Sequence, residues 1–211
     1  MPRGRYSLHD PHDGTPLGEE RFHCAPGPSG WRYVSQTFGP AGSPAGSVDL
    51  TLDRLGRPIR LELRAGGWRV RGAALNGVTW VRMAEETGER AEEDNAPARA
   101  FTGASPAFLV ATARLLRLTD TPGQGVRVRL LAFAPLTLAA RVRDETWTLT
   151  GSEVHTPEDG NGTLTVDAYH VDDMETGERH AVHLAGDVVL AAPGVELEDL
   201  DTPPTDFRTA E

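Results

Sequence analysis

The sequence predicts a mainly β protein in which one curled antiparallel sheet, a β-roll or open barrel, wraps around one apolar α-helix. Three observations predict this fold. Apolar and polar residues alternate along many short segments, turn-forming residues separate the segments, and one apolar stretch does not alternate. The short spacing between segments leaves no room for βαβ crossovers, so the paired strands should be antiparallel.

Length and charge limit the kinds of protein to consider. The chain has 211 residues and a net charge of −10, and we expect one domain over residues 1–211. A surface this acidic disfavours nucleic acid and anionic membranes as partners. Residues 1–14 contain no apolar run of the kind found in signal peptides, and no stretch is long enough to span a bilayer. We therefore expect a cytoplasmic protein.

The clearest β pattern is a meander over residues 48–83. Apolar residues alternate with polar ones along residues 48–52 and again along residues 59–63, on either side of a short turn that contains glycine. Asn76-Gly77 suits a type I′ turn between two further strands. The arginines along these strands, Arg82 among them, are expected on the solvated face.

The next two segments differ from the meander and from each other. Residues 85–99 are strongly acidic and are expected to form a solvated loop. Ser105 then resembles a helix N-cap, with Pro106 at the first helical position. The residues that follow, to about Leu116, are apolar around most of the helix circumference, so this helix must be buried on most sides.

Strands are expected again in the second half of the chain. The predicted strands are residues 126–133, 136–143, 146–155, 163–171, 178–185 and 188–191. Asp144-Glu145 is interpreted as the turn between the second and third of them. The acidic tail, residues 196–211, contains two consecutive prolines and is expected to be loosely attached.

This order of elements resembles a group of bacterial β-roll proteins of the glycolipid-binding type, which are similar to the lipoprotein-carrier fold. The residues behind the resemblance are the meander from Val48 to Arg82, the helix that starts at Ser105, and the strands from Val126 to Leu190. The resemblance implies a long curled sheet around a central helix. It supplies no motif from which a family site can be transferred.

The first functional hypothesis is a non-enzymatic binding protein. An apolar or amphipathic ligand, a lipid or a glycolipid, would lie between sheet and helix, with Trp68, Trp80 and Phe108 among the wall residues. Plain core packing of the tryptophans is the alternative. A third hypothesis is a structural or interaction protein without a small ligand, which an exposed apolar patch would favour.

The second hypothesis is an enzyme that uses a His/Asp cluster. His170 and His180 lie on strands that a hairpin would pair, and both are interpreted as facing the interior near Asp172. Such a pair can bind a metal or exchange protons, although a single internal hydrogen bond for each histidine explains them equally well. The segment His9–Gly14 also has metal-capable residues, but it equally suits a polar turn.

Known catalytic signatures are missing from the sequence. It has no nucleophile elbow, P-loop, zinc-protease motif or dinucleotide-binding motif. The single cysteine, Cys24, can form neither an internal disulfide nor a cysteine metal cluster. We therefore expect no catalytic residues, no metal and no cofactor, and the sequence indicates no particular oligomeric state.

Overall fold

One continuous sheet of fifteen strands is formed by the residues described in this computed structural model, which are 1–27, 30–156 and 163–205. The strands before the helix are β1 (Arg3–His9), β2 (Pro16–Gly27), β3 (Gly30–Phe38), β4 (Pro44–Leu52), β5 (Pro58–Ala65), β6 (Trp68–Ala74), β7 (Val78–Ala84), β8 (Glu92–Ala96) and β9 (Ala100–Thr102). The helix is α1 (Pro106–Leu116), followed by a 3₁₀ turn, Leu118–Asp120. The later strands are β10 (Val126–Phe133), β11 (Ala140–His155), β12 (Leu164–Asp173), β13 (Arg179–Ala185), β14 (Val188–Ala192) and β15 (Val195–Leu200).

The topology explains why the sheet curls. β1 pairs with β2 on one side and with β15 on the other, so the two ends of the chain meet in the middle of the sheet. Its outermost strands are β8 and β9, which are consecutive in the chain. Residues 97–99 are the only link between them, and the distance from Ala96 to Ala100 is at most about 14 Å. The two edges of the sheet therefore lie side by side, and we call the line between them the seam.

Strand pairing supports the predicted antiparallel roll. Every pairing between described strands is antiparallel except that of β9 with β10. No backbone pairing joins β8 to β9 within the described ranges, so the roll is closed everywhere except at the seam. The predicted mainly β class, with one curled sheet and one helix, is confirmed.

Helix α1 runs through the interior of the roll, as its apolar circumference predicts. The Ser105 side chain accepts a hydrogen bond from the Ala107 amide at 3.3 Å, and Pro106 occupies the first turn. The helix ends at Arg117, which adopts a left-handed conformation with a φ of 51°. Its C-terminal half packs so closely on Gly56 that a Cβ there would lie 2.7 Å from the Arg114 backbone.

The interior of the roll is filled by large side chains from the sheet and by α1. The fully buried ones include Tyr6, Trp31, Tyr33, Phe101, Phe108, Leu118 and Trp147. Three aromatic rings of β1, β2 and β3 stack in a row, with centroids 4.7 Å apart for Tyr6–Phe22 and 5.5 Å apart for Phe22–Tyr33. Among the described helices, none is both long and apolar enough to cross a bilayer.

The structure corrects the predicted turn at Asp144-Glu145. Both residues lie within β11, a single strand that replaces the two predicted ones. The Asp144 carboxylate is paired across the sheet with Arg127 and Arg129, so the charge is accommodated on a strand surface. The turn comes earlier, where Leu138 has a positive φ of 50°.

Two other segments are more ordered than the sequence predicts. Residues 196–200 of the predicted loose tail belong to β15, which pairs with both β1 and β14, and residues 206–211 lie outside the described residues. Within the acidic segment 85–99, residues Glu92–Ala96 form the edge strand β8. Acidic side chains suit an exposed edge because their charge discourages pairing with another chain.

Candidate functional site

Two clusters of buried polar side chains lie between the inner face of the sheet and α1. The first, the Glu20 cluster, consists of Glu20, Tyr33, Ser35 and Ser105, at the N-terminus of the helix. The second, the Asp187 cluster, consists of Cys24, Trp31, Arg114 and Asp187, beside the C-terminal half of the helix. Glu20 is 1% exposed and Asp187 is 0% exposed. Carboxyl groups are rarely buried to this degree unless they are paired.

Strand periodicity explains why the Glu20 cluster points inward. Glu20, Phe22 and Cys24 alternate with exposed residues along β2, so all three share the inner face. On β3, Tyr33 lies opposite Cys24 and Ser35 lies opposite Phe22. Glu20 therefore lies on the same face of β2 as the apolar residues of that strand.

Two hydroxyl groups hold the Glu20 carboxyl. Tyr33 donates a hydrogen bond to Glu20 Oε1 at 2.7 Å, and the Ser105 hydroxyl donates to the same oxygen at 2.8 Å. Ser105 is also the helix cap, so this carboxyl ties the start of α1 to strands β2 and β3. Burial raises the pKa of Glu20, while the hydroxyls of Tyr33, Ser105 and Ser35 lower it.

The neighbouring groups are also shifted by burial. Desolvation raises the pKa of Tyr6 and of Tyr33 well above the ordinary value, and the negative charge of Glu20 adds to both shifts. The Tyr6 hydroxyl accepts a hydrogen bond from the Val189 amide at 3.1 Å. The Ser35 hydroxyl lies near enough to influence Glu20, yet its oxygen makes no hydrogen bond of good geometry to any described residue.

The Asp187 cluster is built differently, because its carboxylate accepts bonds from three separate parts of the chain. Trp31 Nε1 and Cys24 Sγ each lie 3.3 Å from Asp187 Oδ2. The Thr205 amide donates to the other oxygen at 2.7 Å, which fastens the end of the described chain to the roll. This carboxylate therefore joins β2, β3 and the segment after β15.

Arg114 contributes a positive charge from α1 to this cluster. Its guanidinium lies 5.7 Å from the centroid of the Trp31 ring. Burial lowers the pKa of Arg114 to about 10, and the Asp187 carboxylate opposes that shift. The group stays protonated near neutral pH, so a buried cation faces a buried anion at this end of the helix.

Cys24 is unsuited to nucleophilic chemistry. It is 1% exposed, and burial together with the Asp187 carboxylate raises the pKa of its thiol far above the usual range. A cysteine acts as a nucleophile through its thiolate, which is suppressed in this setting. Its thiol acts here as a buried hydrogen-bond donor.

The three predicted wall residues lie on the inner side of the roll but do not form one surface. Trp68 is half-buried at the start of β6, where the Arg82 guanidinium stacks at 3.4 Å from the centroid of its ring. Trp80 is 7% exposed on β7, and Phe108 is 2% exposed on α1. In the described part of the chain, no aromatic ring contact joins any two of the three.

Arg82 departs from the pattern of its neighbours. Its place among the strand arginines predicts that it lies on the solvated face, but it shares the inner face with Trp80, and only 14% of its side chain is exposed. It donates to the Thr137 carbonyl at 2.8 Å and pairs with Glu92 at 3.2 Å. Stacking on Trp68 compensates for burying this arginine.

The two predicted histidines do not converge. Val171 pairs with His180, whereas His170 pairs with Ala181, so the histidines point to opposite faces of the sheet. His170 lies on the outer face with Asp172, and both histidines are half-buried. The expectation that both face the interior is therefore wrong for His170.

Other possible metal sites are not assembled either. Asp10 and Asp13 each accept a backbone hydrogen bond at 2.8 Å, from His12 and Thr15, which is the polar-turn interpretation of residues 9–14. Within the described ranges, no group of three or more His, Cys, Asp or Glu side chains is arranged to hold a metal ion.

Among the clefts formed by the described residues are two that lie away from the space between the sheet and α1. One, of about 670 Å³, is lined by residues 76–79 and 93–97 and therefore runs along the edge of the sheet next to the seam. The other, of about 450 Å³, is formed by β1, β2, β15 and residues 39–42. The first is called the seam cleft below.

The fold is similar to that of solved proteins with little sequence in common. A crystal structure of a DUF1089 family protein from Pseudomonas aeruginosa matches with a TM-score of 0.54 and 14% identity, over 83% of this chain and 89% of that one. A β-barrel-like protein of domain of unknown function DUF1849 from Brucella abortus matches at 12% identity and a TM-score of 0.48, over 95% of this chain and 96% of its own. No family model and no curated protein matches the sequence. The first likeness supports the fold and assigns no activity.

Sequence reasoning missed both buried clusters. For Glu20 a signal existed, because it stands in phase with Phe22 and Cys24 on a predicted strand. For Asp187 there was none, since Gly186-Asp187 is an ordinary turn pair. Its partners come from positions far away in the sequence.

Proposed function

We propose that the protein is a non-enzymatic binding protein that takes an amphipathic ligand, a lipid or glycolipid, between the inner face of the sheet and α1. The observation that supports this is the seam. Strand pairing between the described strands closes the roll on every other side, and a cleft of about 670 Å³ lies beside the seam. A ligand can enter there without breaking any backbone hydrogen bond between β8 and β9.

The residues at the seam suit the passage of an apolar chain. Ala96, Ala98 and Ala100 are all buried and small. Behind them, the ring of Phe101 lies so close to Gly72 that a Cβ at that position would be 2.8 Å from it. An acyl chain that displaces this ring reaches the apolar interior directly.

The polar side chains that line the seam cleft suit a polar head. They include Asn76, Thr79, Glu93, Asp94 and Asn95. Amides, hydroxyls and carboxylates bond well to the hydroxyl groups of a sugar, whereas two carboxylates repel a phosphate. A neutral glycolipid is therefore favoured over an anionic phospholipid.

Ligand entry requires α1 to shift. Phe108 and the other inward residues of the helix fill the space that an acyl chain would occupy. The helix is short, and isolated helices of this length are marginal in water, so its position depends on packing. Binding and displacement of α1 should therefore occur together.

A cytoplasmic location is part of this proposal. The single cysteine, Cys24, is free, which is compatible with a reducing compartment. We also propose no nucleic acid partner, because the net charge of −10 opposes binding to phosphates.

Tryptophan fluorescence tests the site. Trp80 pairs across the sheet with Asp94, a residue of the seam cleft. Vesicles containing a neutral monoglycosyl diacylglycerol should change the emission of the native protein, and Trp80→Phe should remove most of that change. Trp147→Phe is the matched control, because Trp147 lies on β11, is not among the residues that line the seam cleft, and donates a hydrogen bond to Glu145 at 2.8 Å. It should preserve the response.

Native mass spectrometry of freshly purified protein is the complementary test. A bound lipid that dissociates on collisional activation is expected. Protein without any adduct, together with no fluorescence response to glycolipid vesicles, would contradict the proposal. An equal response to phosphatidylglycerol vesicles would contradict the preference for a neutral head.

A further inference from the structure

The Glu20 cluster links the start of α1 to the sheet through a single carboxyl oxygen. Both donors, the hydroxyls of Tyr33 and Ser105, bond to Glu20 Oε1. Ser105 also caps the helix through the Ala107 amide. Movement of α1 away from the sheet must therefore break or carry along the bonds to Glu20.

Among the described residues, the groups that shift the pKa of Glu20 include no cation. The titratable groups around it are Tyr6 on β1, Tyr33 on β3 and Cys24 on its own strand, and each is neutral when protonated. Asp187 acts on Tyr6 and adds further negative charge. From α1 the cluster receives the Ser105 hydroxyl. The environment therefore tolerates a neutral carboxyl far better than a carboxylate.

The Ser35 hydroxyl is a further polar group beside the Glu20 carboxyl. Ser35 is 2% exposed, and its oxygen has no hydrogen-bond partner of good geometry among the described residues. A protonated Glu20 has one O–H to donate, and Ser35 lies beside it. The neutral acid can donate a hydrogen bond to the Ser35 oxygen, whereas the carboxylate can only accept one from the Ser35 hydroxyl.

We propose that Glu20 is a proton switch that controls the position of α1 against the sheet. The neutral acid holds the start of the helix in place, and its ionisation releases the helix. On release, the carboxylate becomes hydrated and the space between sheet and helix opens. The switch regulates the ligand site proposed above and rests on that function for its biological meaning. Its physical basis, a buried acid bonded to a helix cap, is independent of any ligand.

The direction of the switch follows from the shift in the pKa of Glu20. Burial raises its pKa in the closed state, so opening the cluster restores the ordinary pKa and releases a proton. Opening is therefore suppressed at low pH and becomes easier as the pH rises. Between the ordinary pKa of about 4.3 and the raised one, each pH unit should increase opening about tenfold.

Hydrogen exchange of the α1 amides, corrected for the intrinsic pH dependence of exchange, measures this opening without ligand. In the native protein, protection of residues 106–116 should fall with rising pH while that of β3 stays constant. Glu20→Gln keeps an oxygen that can accept both hydroxyl bonds but cannot ionise, so α1 protection should become independent of pH. Glu19→Gln is the matched control, because Glu19 pairs on the outer face with Arg5 and Arg21. It should behave like the native protein.

A second variant keeps the test decisive if Glu20→Gln does not fold. Tyr33→Phe removes a bond that lowers the pKa of Glu20, so the pH at which protection stops falling should rise. The proposal is overturned if α1 protection in the native protein does not depend on pH, if Glu20→Gln retains the dependence, or if Tyr33→Phe leaves it in place. A pH-dependent α1 without lipid binding would support the switch and refute the proposed ligand.

Discussion

The two ends of α1 are fixed by buried carboxyl groups in opposite ways. At the N-terminus, Glu20 is bonded by neutral hydroxyls, and burial raises its pKa. Beside the C-terminal half, Asp187 is bonded by N–H and S–H groups and faces the Arg114 guanidinium. The same kind of side chain is therefore neutralised by a proton at one end and by a cation at the other.

This difference indicates which end can move. The donors to Asp187 are an indole N–H, a backbone amide and the Cys24 thiol, whose pKa is raised by burial, so none of them loses its proton near neutral pH. A cluster balanced by a proton changes when the proton leaves. The C-terminal half of α1 is therefore the fixed end, and the N-terminus is the end that can open.

The largest expected effect comes from neutralising Asp187. Asp187→Asn removes a negative charge that raises the pKa of Arg114 and replaces a carboxylate that accepts three hydrogen bonds. We expect a loss of about 3 kcal/mol in the free energy of unfolding, because hydrogen bonds to a buried charged acceptor are weakened together. Denaturant unfolding at neutral pH measures it.

A double-mutant cycle controls for that result. Arg114→Met removes the cation while keeping much of the side-chain volume, so it should cost less in the Asp187→Asn background than in the native protein. A coupling energy above about 1 kcal/mol is expected for interacting residues. Additive effects of the two substitutions on the free energy of unfolding would show that the two side chains do not interact.

The next largest effect is expected at the N-cap of α1. Ser105→Ala removes the acceptor for the Ala107 amide and one donor to Glu20, so we expect a loss of about 1–2 kcal/mol in unfolding free energy. Ser105→Thr keeps the hydroxyl and is the conservative control. If both variants lose the same stability, the hydroxyl is not the cause.

The pH dependence of stability separates the two carboxyl groups. Because the pKa of Glu20 is raised on folding, its contribution is fully present below the ordinary pKa and is lost as the pH rises through the folded value. Glu20→Gln should therefore gain stability over the native protein with rising pH, by up to about 1.4 kcal/mol per pH unit in that window. Unfolding curves at several pH values provide the measurement, and parallel pH profiles for the two proteins would refute the difference between the ends of α1.

The smallest effect is expected at the C-cap. Arg117 has a left-handed backbone with a φ of 51°, which glycine adopts with less strain. Arg117→Gly should stabilise the protein by up to about 1 kcal/mol, reduced by the loss of the Arg117 bond to the Arg54 carbonyl. A shift in thermal unfolding midpoint detects it, and a clear loss of stability would mean that the side-chain bond dominates.

Local pattern was enough to predict most of the strands and the helix. The alternation over residues 48–63 corresponds to β4 and β5, and the Ser-Pro start of the apolar stretch corresponds to the first turn of α1. These signals act within a few residues, where side-chain periodicity and capping determine conformation. For the same reason the mainly β class followed from the sequence.

The errors arose where distant partners override local preference. Asp144 lies within a strand because Arg127 and Arg129 neutralise it from the neighbouring strand. The segment from Glu196 to Leu200 is held by β1, from the other end of the chain. Neither partner can be assigned from the local sequence.

The same contrast between local pattern and contacts from distant segments applies to the candidate site. By itself, the sequence determined that a single apolar helix must be enclosed by a β-sheet, because a helix with so little polar surface cannot face water. Only the tertiary structure decided how it is held, since Glu20, Tyr33 and Ser105 meet through three separate segments of the chain. It also decided where the roll stays open, because the seam depends on which strands become the edges of the sheet.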